Sequence, residues 1–161
     1  MKTKISLLIC LSALLFQCAT EEETKSPLWG VDFSTESATI LAQGAIERQN
    51  AESNEMYIIN SAYLRQAEEG LYKISFTFEN GETIQLVVTK KTADCNYHYP
   101  GTESENQLIS AVFNGTALDL TESSIAVQPH LEENKLHIIT DVHTRNAGDF
   151  NGILSRVPLV K

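Results

Sequence analysis

Positively charged residues are scarce in this chain, and their scarcity narrows the range of partners. Twelve lysines and arginines stand against 21 aspartates and glutamates, so the formal net charge at pH 7 is −9. A chain this acidic lacks the cationic surface that counterion release from a nucleic-acid backbone requires. Nucleic acid is therefore excluded as a partner.

Cysteine is rare as well, with three in 161 residues. One ordinary domain of this length buries about two-thirds of its unfolded surface, so its core does not depend on disulfides. Cys10 and Cys18 lie near the N-terminus, which leaves Cys95 alone in the body of the chain. We interpret Cys95 as a small buried side chain, with pairing to another chain or to Cys18 as the alternatives.

Catalytic signatures are missing from the sequence. It contains no G-x-S-x-G, no H-E-x-x-H, no phosphate-binding loop and no dinucleotide fingerprint. Its adjacent glutamates lie in polar segments, where water keeps carboxylates poor general acids. The sequence therefore predicts a protein that is not an enzyme and needs no cofactor.

The N-terminus has the layout of an export signal. Lys2 and Lys4 precede an apolar run from Ile5 to Phe16, which is too short to span a bilayer. The following segment, Leu15-Phe16-Gln17-Cys18, resembles the lipobox of bacterial lipoproteins. This resemblance implies that residues 1–17 are removed and that Cys18 carries diacylglycerol and a further acyl chain such as palmitate. Ordinary signal cleavage after Thr20 is the alternative.

The residues behind Cys18 predict where such a lipoprotein resides. Ala19 replaces the aspartate that typically retains lipoproteins in the inner membrane, which favours an outer-membrane anchor. The acidic cluster Glu21-Glu22-Glu23 is similar to the export tag of some surface lipoproteins. A solvated spacer is the alternative reading of the same charges. We therefore expect residues 18–27 to be a tether and the cell surface to be a candidate location.

From Leu28 onward, apolar residues recur mostly at period two, which indicates β-strands. The clearest pattern is a hairpin within Leu71–Lys90. A three-residue loop, Glu79-Asn80-Gly81, would pair Phe76 with Ile84 and bury both apolar faces together, whereas a two-residue turn would separate them.

The other segments complete a single antiparallel β domain over residues 28–161. Further strands are expected at Met56–Ala62, Gln107–Phe113, Thr116–Leu120, Ser124–Gln128, Leu136–Thr144 and Ile153–Val160, the last interrupted at Pro158. Ala38–Gln49 fits a strand or a short helix, and Ser61–Glu69 fits a strand or a helical turn. The spacing predicts a β-sandwich, with a small meander barrel as the alternative.

Two groups of residues are candidates for a site. His137, Asp141 and His143 would point to the same side of one strand, which makes a weak candidate metal set; a solvent-facing polar stripe is the favoured reading. The loop Thr92–Asn106 contains Tyr97-His98-Tyr99, a candidate partner contact, although one tyrosine could instead anchor the loop and Tyr99-Pro100 could be cis.

These features together predict a non-enzymatic binding or structural module. It would be anchored in the outer membrane through lipid on Cys18 and would contact an envelope protein or a glycan. A lipocalin-like carrier of a small apolar ligand is the alternative, and a metal-dependent enzyme at His137, Asp141 and His143 ranks last.

Overall fold

A computed structural model of the chain describes residues 29, 31, 42–130 and 134–160. The predicted signal 1–17, the tether 18–27 with Cys18, and the first part of Ala38–Gln49 lie outside these residues. Within them the fold is all-β, without a helix. Accordingly, no helix in the described ranges is long and apolar enough to span a membrane.

Eleven strands form from the described residues. They are β1 (Gln43–Gln49), β2 (Asn54–Glu68), β3 (Leu71–Phe78), β4 (Thr83–Thr89), β5 (Asn96–Tyr99), β6 (Gln107–Phe113), β7 (Thr116–Ala117), β8 (Ser123–His130), β9 (Lys135–Val142), β10 (Asp149–Val157) and β11 (Leu159–Val160). Both ambiguous segments are therefore strands where they are described, because Ser61–Glu69 belongs largely to β2 and Ala38–Gln49 ends in β1.

Nine of these strands close into a barrel. The hydrogen-bonded order is β1-β10-β9-β8-β5-β6-β4-β3-β2, and β2 pairs again with β1. β7 and β11 lie outside this ring, paired with β6 and β2. The predicted sandwich is wrong and the alternative of a small barrel is confirmed. Its order is not a pure antiparallel meander, because β5 lies between β8 and β6 and pairs with β6 in parallel. Period-two alternation is the same in both architectures, so the sequence pattern did not separate them.

Two glycines allow β1 and β10 to approach closely where the barrel closes. A Cβ on Gly152 would lie 2.3 Å from the Ala45 carbonyl oxygen, and one on Gly44 would lie 2.2 Å from that of Ile153. Such contacts are far below van der Waals separation, so only glycine fits at these positions.

The predicted hairpin is confirmed in register. Phe76 pairs with Ile84, and Ile74 with Leu86. Gly81 has the left-handed backbone (φ 85°) that the three-residue loop requires.

By contrast, the predicted loop Thr92–Asn106 contains β5, which lies between β8 and β6. The strand β8 also continues through Pro129, where only β9 is its partner among the described strands, and β10 ends before Pro158.

The barrel interior is packed with apolar side chains. Aromatic rings of Tyr57, Phe78, Phe113 and Phe150 contact one another toward one end, with the Arg48 guanidinium 5.1 Å from the Phe113 ring centroid. A second cluster contains Trp29, Tyr72, Tyr97 and Lys90. Trp29 is buried and belongs to the core.

Candidate functional site

The outer wall of the barrel carries a row of polar side chains that runs across five strands. His98 on β5 pairs with Ser124 on β8, Ser124 pairs with Asp141 on β9, and the row continues through Asn151 on β10 to Glu47 on β1. All five side chains point outward, because side chains alternate along a strand and at least one chain neighbour of each is buried. We call these five residues the polar row.

An open groove of about 740 Å³ lies over one end of the polar row. Its walls are His98, Thr121, Glu122, Ser123, Ser124, Asp141, His143 and Asp149. This polar groove has the volume of a small-ligand site, but its lining is polar and it opens to solvent. It can therefore offer hydrogen bonds and negative charge to a ligand on the surface.

His143 lies between two carboxylates in the polar groove. Its Nε2 is 3.0 Å from Asp141 Oδ1, and its Nδ1 is 2.9 Å from Asp149 Oδ2. A ring that donates to both carboxylates carries a proton on each nitrogen, so this geometry favours the imidazolium form. We call this arrangement the Asp–His–Asp clamp.

The clamp changes the titration of the histidine. The hydrogen bond that His143 donates to Asp149 is the main cause that raises the pKa of His143 above 6.5, and the charges of both aspartates add to it, while partial burial opposes them. The clamp carries one positive and two negative charges, and Glu122 adds another acidic group to the polar groove. The groove is therefore acidic even with His143 protonated.

The backbone around His143 is fastened to β8 and to β10. The His143 N–H donates to Ser123 Oγ (2.9 Å), and the Thr144 N–H donates to Asp149 Oδ1 (3.3 Å). Thr144 Oγ1 donates to the Gly148 carbonyl (2.7 Å) and accepts from the Ala147 N–H (3.0 Å). The ring of His143 thus projects from a tightly bonded turn.

The candidate metal set is only partly brought together. Asp141 and His143 meet in the clamp. His137 lies four residues before Asp141 on β9, which is about 13 Å from Asp141 along the strand. There its ring contacts His130, with centroids 4.4 Å apart. Among the described residues, no three His, Cys, Asp or Glu side chains are arranged to hold a metal ion.

The candidate contact residues separate to two sides of β5. Tyr97 is fully buried, and burial strongly raises the pKa of its hydroxyl group. His98 lines the polar groove, and Tyr99 lines a smaller depression of about 400 Å³ next to it. The Tyr99-Pro100 peptide bond is cis. Tyr97 therefore anchors this segment, Tyr99 packs partly buried against the core, and His98 remains at the surface.

Sequence reasoning missed Glu122, Ser123, Ser124 and Asp149 as neighbours of His143. Asp149 comes six residues after His143, across a turn whose closure depends on Thr144 and Gly148. Ser123 and Ser124 come from β8, almost twenty residues earlier in the chain. Alternation placed Ser124 on a strand, but nothing in the sequence specified which strand would lie beside it.

A buried lysine occupies the second aromatic cluster. The Lys90 Nζ lies 4.4 Å from the Trp29 ring centroid and 5.8 Å from that of Tyr97, and it donates to the Asp94 carbonyl (2.9 Å). Burial lowers the pKa of this ammonium group. The adjacent Cys95 is a half-buried free thiol. The cation–π contacts hold this ammonium group against the aromatic rings of the core.

Comparison of the chain with family models, curated proteins and solved structures finds no match.

Proposed function

We propose that the protein is a lipoprotein of the bacterial outer membrane that acts as a non-enzymatic binding module. The polar groove is the observation that carries this proposal, because it is a concave surface on rigid strands and its polar groups point to solvent. A partner bound there would be an envelope protein or a glycan, since both offer groups that hydrogen-bond to carboxylates, hydroxyls and imidazole.

The packed barrel interior supports binding on the outside. The gap between Ile46, Phe76, Ile84, Leu86, Leu118, Thr140, Val142 and Phe150 has no room for a water molecule. A ligand of any size would have to displace these side chains, which protein interiors resist because they are close-packed. The outer wall is therefore the better place for recognition within the described part of the chain.

The clamp supports a role without catalysis. A general base needs a free ring nitrogen, and both nitrogens of His143 face carboxylates. The Ser123 hydroxyl accepts from the His143 backbone and lies 3.2 Å from two carbonyl oxygens, to which it can donate. Neither group is arranged as a nucleophile with its base.

The lipid anchor in this proposal rests on the resemblance of Leu15-Phe16-Gln17-Cys18 to a lipobox. Surface exposure rests on the acidic residues 21–23 that follow. An anchored module that contacts an envelope component would be held at a high effective concentration near its partner. Modest affinity in the polar groove would then be sufficient.

Site-specific photo-crosslinking in intact cells tests the binding role. A photo-crosslinking amino acid at His98 would lie in the polar groove, and the same group at the exposed Arg65 on β2 is the control. We expect a defined adduct from His98 and none from Arg65. A glycan array, read with the wild type and with Asp141→Asn, covers a carbohydrate partner. Failure of His98 to form an adduct, together with no glycan signal that depends on Asp141, would contradict the proposal.

The closed barrel favours a second candidate, the lipocalin-like carrier of a small apolar ligand. Closed barrels of about this strand number can enclose one small molecule. Organic extraction of the purified protein followed by mass spectrometry tests this candidate. A stoichiometric lipid in the extract would move it to first place, and a lipid-free extract would count against it.

A further inference from the structure

A row of apolar side chains crosses the outer wall directly beside the polar row. Ile58 on β2 pairs with Ala45 on β1, Ala45 with Ile153 on β10, Ile153 with Ile139 on β9, and Ile139 with Ala126 on β8. These five residues form the apolar stripe. It spans four inter-strand spacings, or roughly 19 Å along the wall.

The stripe is open to solvent. Ile153 is 60% exposed, Ile58 45% and Ile139 40%, so nothing in the described part of the chain covers them. Met56 is 62% exposed and pairs with Glu47, so it lies at the β2 end of the polar row, two residues from Ile58. Single exposed apolar residues are ordinary, but contiguous ones on a rigid sheet mark interaction surfaces.

The polar row supplies charge along one side of the stripe. Four of its five members, Ser124, Asp141, Asn151 and Glu47, lie two residues from a stripe residue on the same strand, so the two rows are adjacent on one face across β8, β9, β10 and β1. Glu47 and Asp141 belong to this row, and Asp149 lies two residues before Asn151 on β10. The face therefore combines an apolar centre with an acidic margin, on a chain whose net charge is −9.

We propose that the apolar stripe and its acidic margin dock a protein segment with apolar side chains and lysines or arginines along one flank. This inference rests on the proposed binding function and specifies its partner. Apolar contact would supply the buried centre of the interface, and opposite charge at the margin would orient the segment.

Charge distinguishes this partner from two others. An anionic lipid surface would be repelled by Glu47, Asp141 and Asp149. A second copy of the chain also has a net charge of −9, so the two copies would repel each other. A cationic amphipathic segment instead matches both the apolar stripe and the margin.

Three synthetic ten-residue peptides provide the probe. One alternates leucine with lysine, one leucine with glutamate and one serine with lysine, and binding to the purified full chain is read by fluorescence anisotropy. We expect the leucine–lysine peptide to bind at least ten-fold tighter than either of the others. Binding should weaken as salt is added, because the acidic margin contributes.

Variants of the stripe make the test specific. The double variant Ile139→Thr, Ile153→Thr keeps β-branched side chains on the strands. It should bind the leucine–lysine peptide about ten-fold more weakly than the wild type, or weaker still. Ile109→Thr is the matched control, because Ile109 is 43% exposed on β6 and lies outside the stripe. The affinity of Ile109→Thr for the leucine–lysine peptide should stay within about two-fold of that of the wild type. Thermal unfolding of each variant confirms that the barrel is intact.

Several results would overturn the inference. Equal binding of the serine–lysine peptide would mean that charge alone acts, and an unaffected stripe variant would mean that the stripe is not used. Stripe-dependent binding to phosphatidylcholine vesicles would assign the surface to a bilayer. A dimer in sedimentation that the stripe variant loses would assign it to a second copy. If the inference fails while crosslinking at His98 persists, the proposed function stands; if both fail, it falls as well.

Discussion

At the scale of single residues, His143 is the side chain whose chemistry the fold alters most clearly. In an unfolded chain its pKa would lie near 6.5, and the two aspartates of the clamp raise it in the folded protein. The folded state therefore binds the proton more tightly than the unfolded state. Its contribution to stability is fully present below pH 6.5 and is lost as the pH rises through the raised folded pKa.

This linkage predicts a measurable pH dependence. The difference in melting temperature between the wild type and His143→Gln should be largest near pH 6 and should shrink between pH 6.5 and 9. Differential scanning calorimetry across this range measures it. His137→Gln is the control, because His137 contacts His130 rather than a carboxylate in the described structure. A wild-type advantage that grows with pH would contradict the protonated clamp.

Asn106 is a second residue whose role is local and testable. Its Oδ1 accepts from the N–H groups of Lys91 (2.6 Å) and Thr92 (2.9 Å), and its Nδ2 donates to the Asp94 carbonyl (2.7 Å). Because Asn106 is buried, its side chain holds the segment before β5 against the start of β6.

Asn106→Ala should therefore lower the free energy of unfolding by about 1–3 kcal/mol, the usual cost of leaving buried polar groups without partners. Urea denaturation measures the change. The exposed turn residue Asn80 is the control, and Asn80→Ala should cost roughly 0.5 kcal/mol or less. Equal losses in the two variants would show that the Asn106 bonds do not hold the segment.

At the scale of elements, the strands that sequence predicts best are those joined by short turns. The β3–β4 hairpin follows from one rule, because only a three-residue loop places Phe76 and Ile84 on the same face. β5 could not be predicted in the same way. It has only four residues, and it is joined to its partners β6 and β8 by long connections rather than by a short turn. No local pattern therefore indicates its pairing.

The closure of β1 against β10 gives a prediction at the same scale. Gly152→Ala would place a methyl group against the backbone of Ala45 and should cost about 1–3 kcal/mol of stability. Amide hydrogen exchange should accelerate in β1 and β10. In Gly81→Ala the added methyl group meets nothing within 4 Å, so only the left-handed backbone at the β3–β4 turn, about 1–2 kcal/mol, opposes the change. Unchanged exchange in β1 and β10 of Gly152→Ala would contradict tight closure.

At the scale of the whole molecule, the barrel separates an inert interior from an outer wall that carries both candidate surfaces. The polar groove and the apolar stripe lie on neighbouring rows of the same strands. The interior gap beside Phe76 and Phe150 has no room for a water molecule. Recognition by this protein would thus depend on which residues the barrel presents outward, and an anchor would decide where they are presented.

The proposed anchor predicts a specific mass and location. The wild-type protein extracted from membranes should begin at Cys18 and carry the mass of diacylglycerol and one further acyl chain. Cys18→Ser should lack this mass and leave the membrane fraction, since attached chains supply most of the membrane affinity. Intact mass spectrometry and fractionation measure both. A wild-type chain that is unmodified and cut elsewhere would make this a secreted domain without lipid.

The sequence by itself determined the class of the fold, most strand positions and the register of one hairpin, because these depend on alternation and on local turn chemistry. It also indicated His98, Asp141 and His143 as surface polar residues. Only the tertiary structure decided that the sheet closes, that Asp149 joins Asp141 around His143, and that five apolar residues align across β2, β1, β10, β9 and β8. Each of these depends on which strands become neighbours, and that pairing is set by packing between residues far apart in the chain.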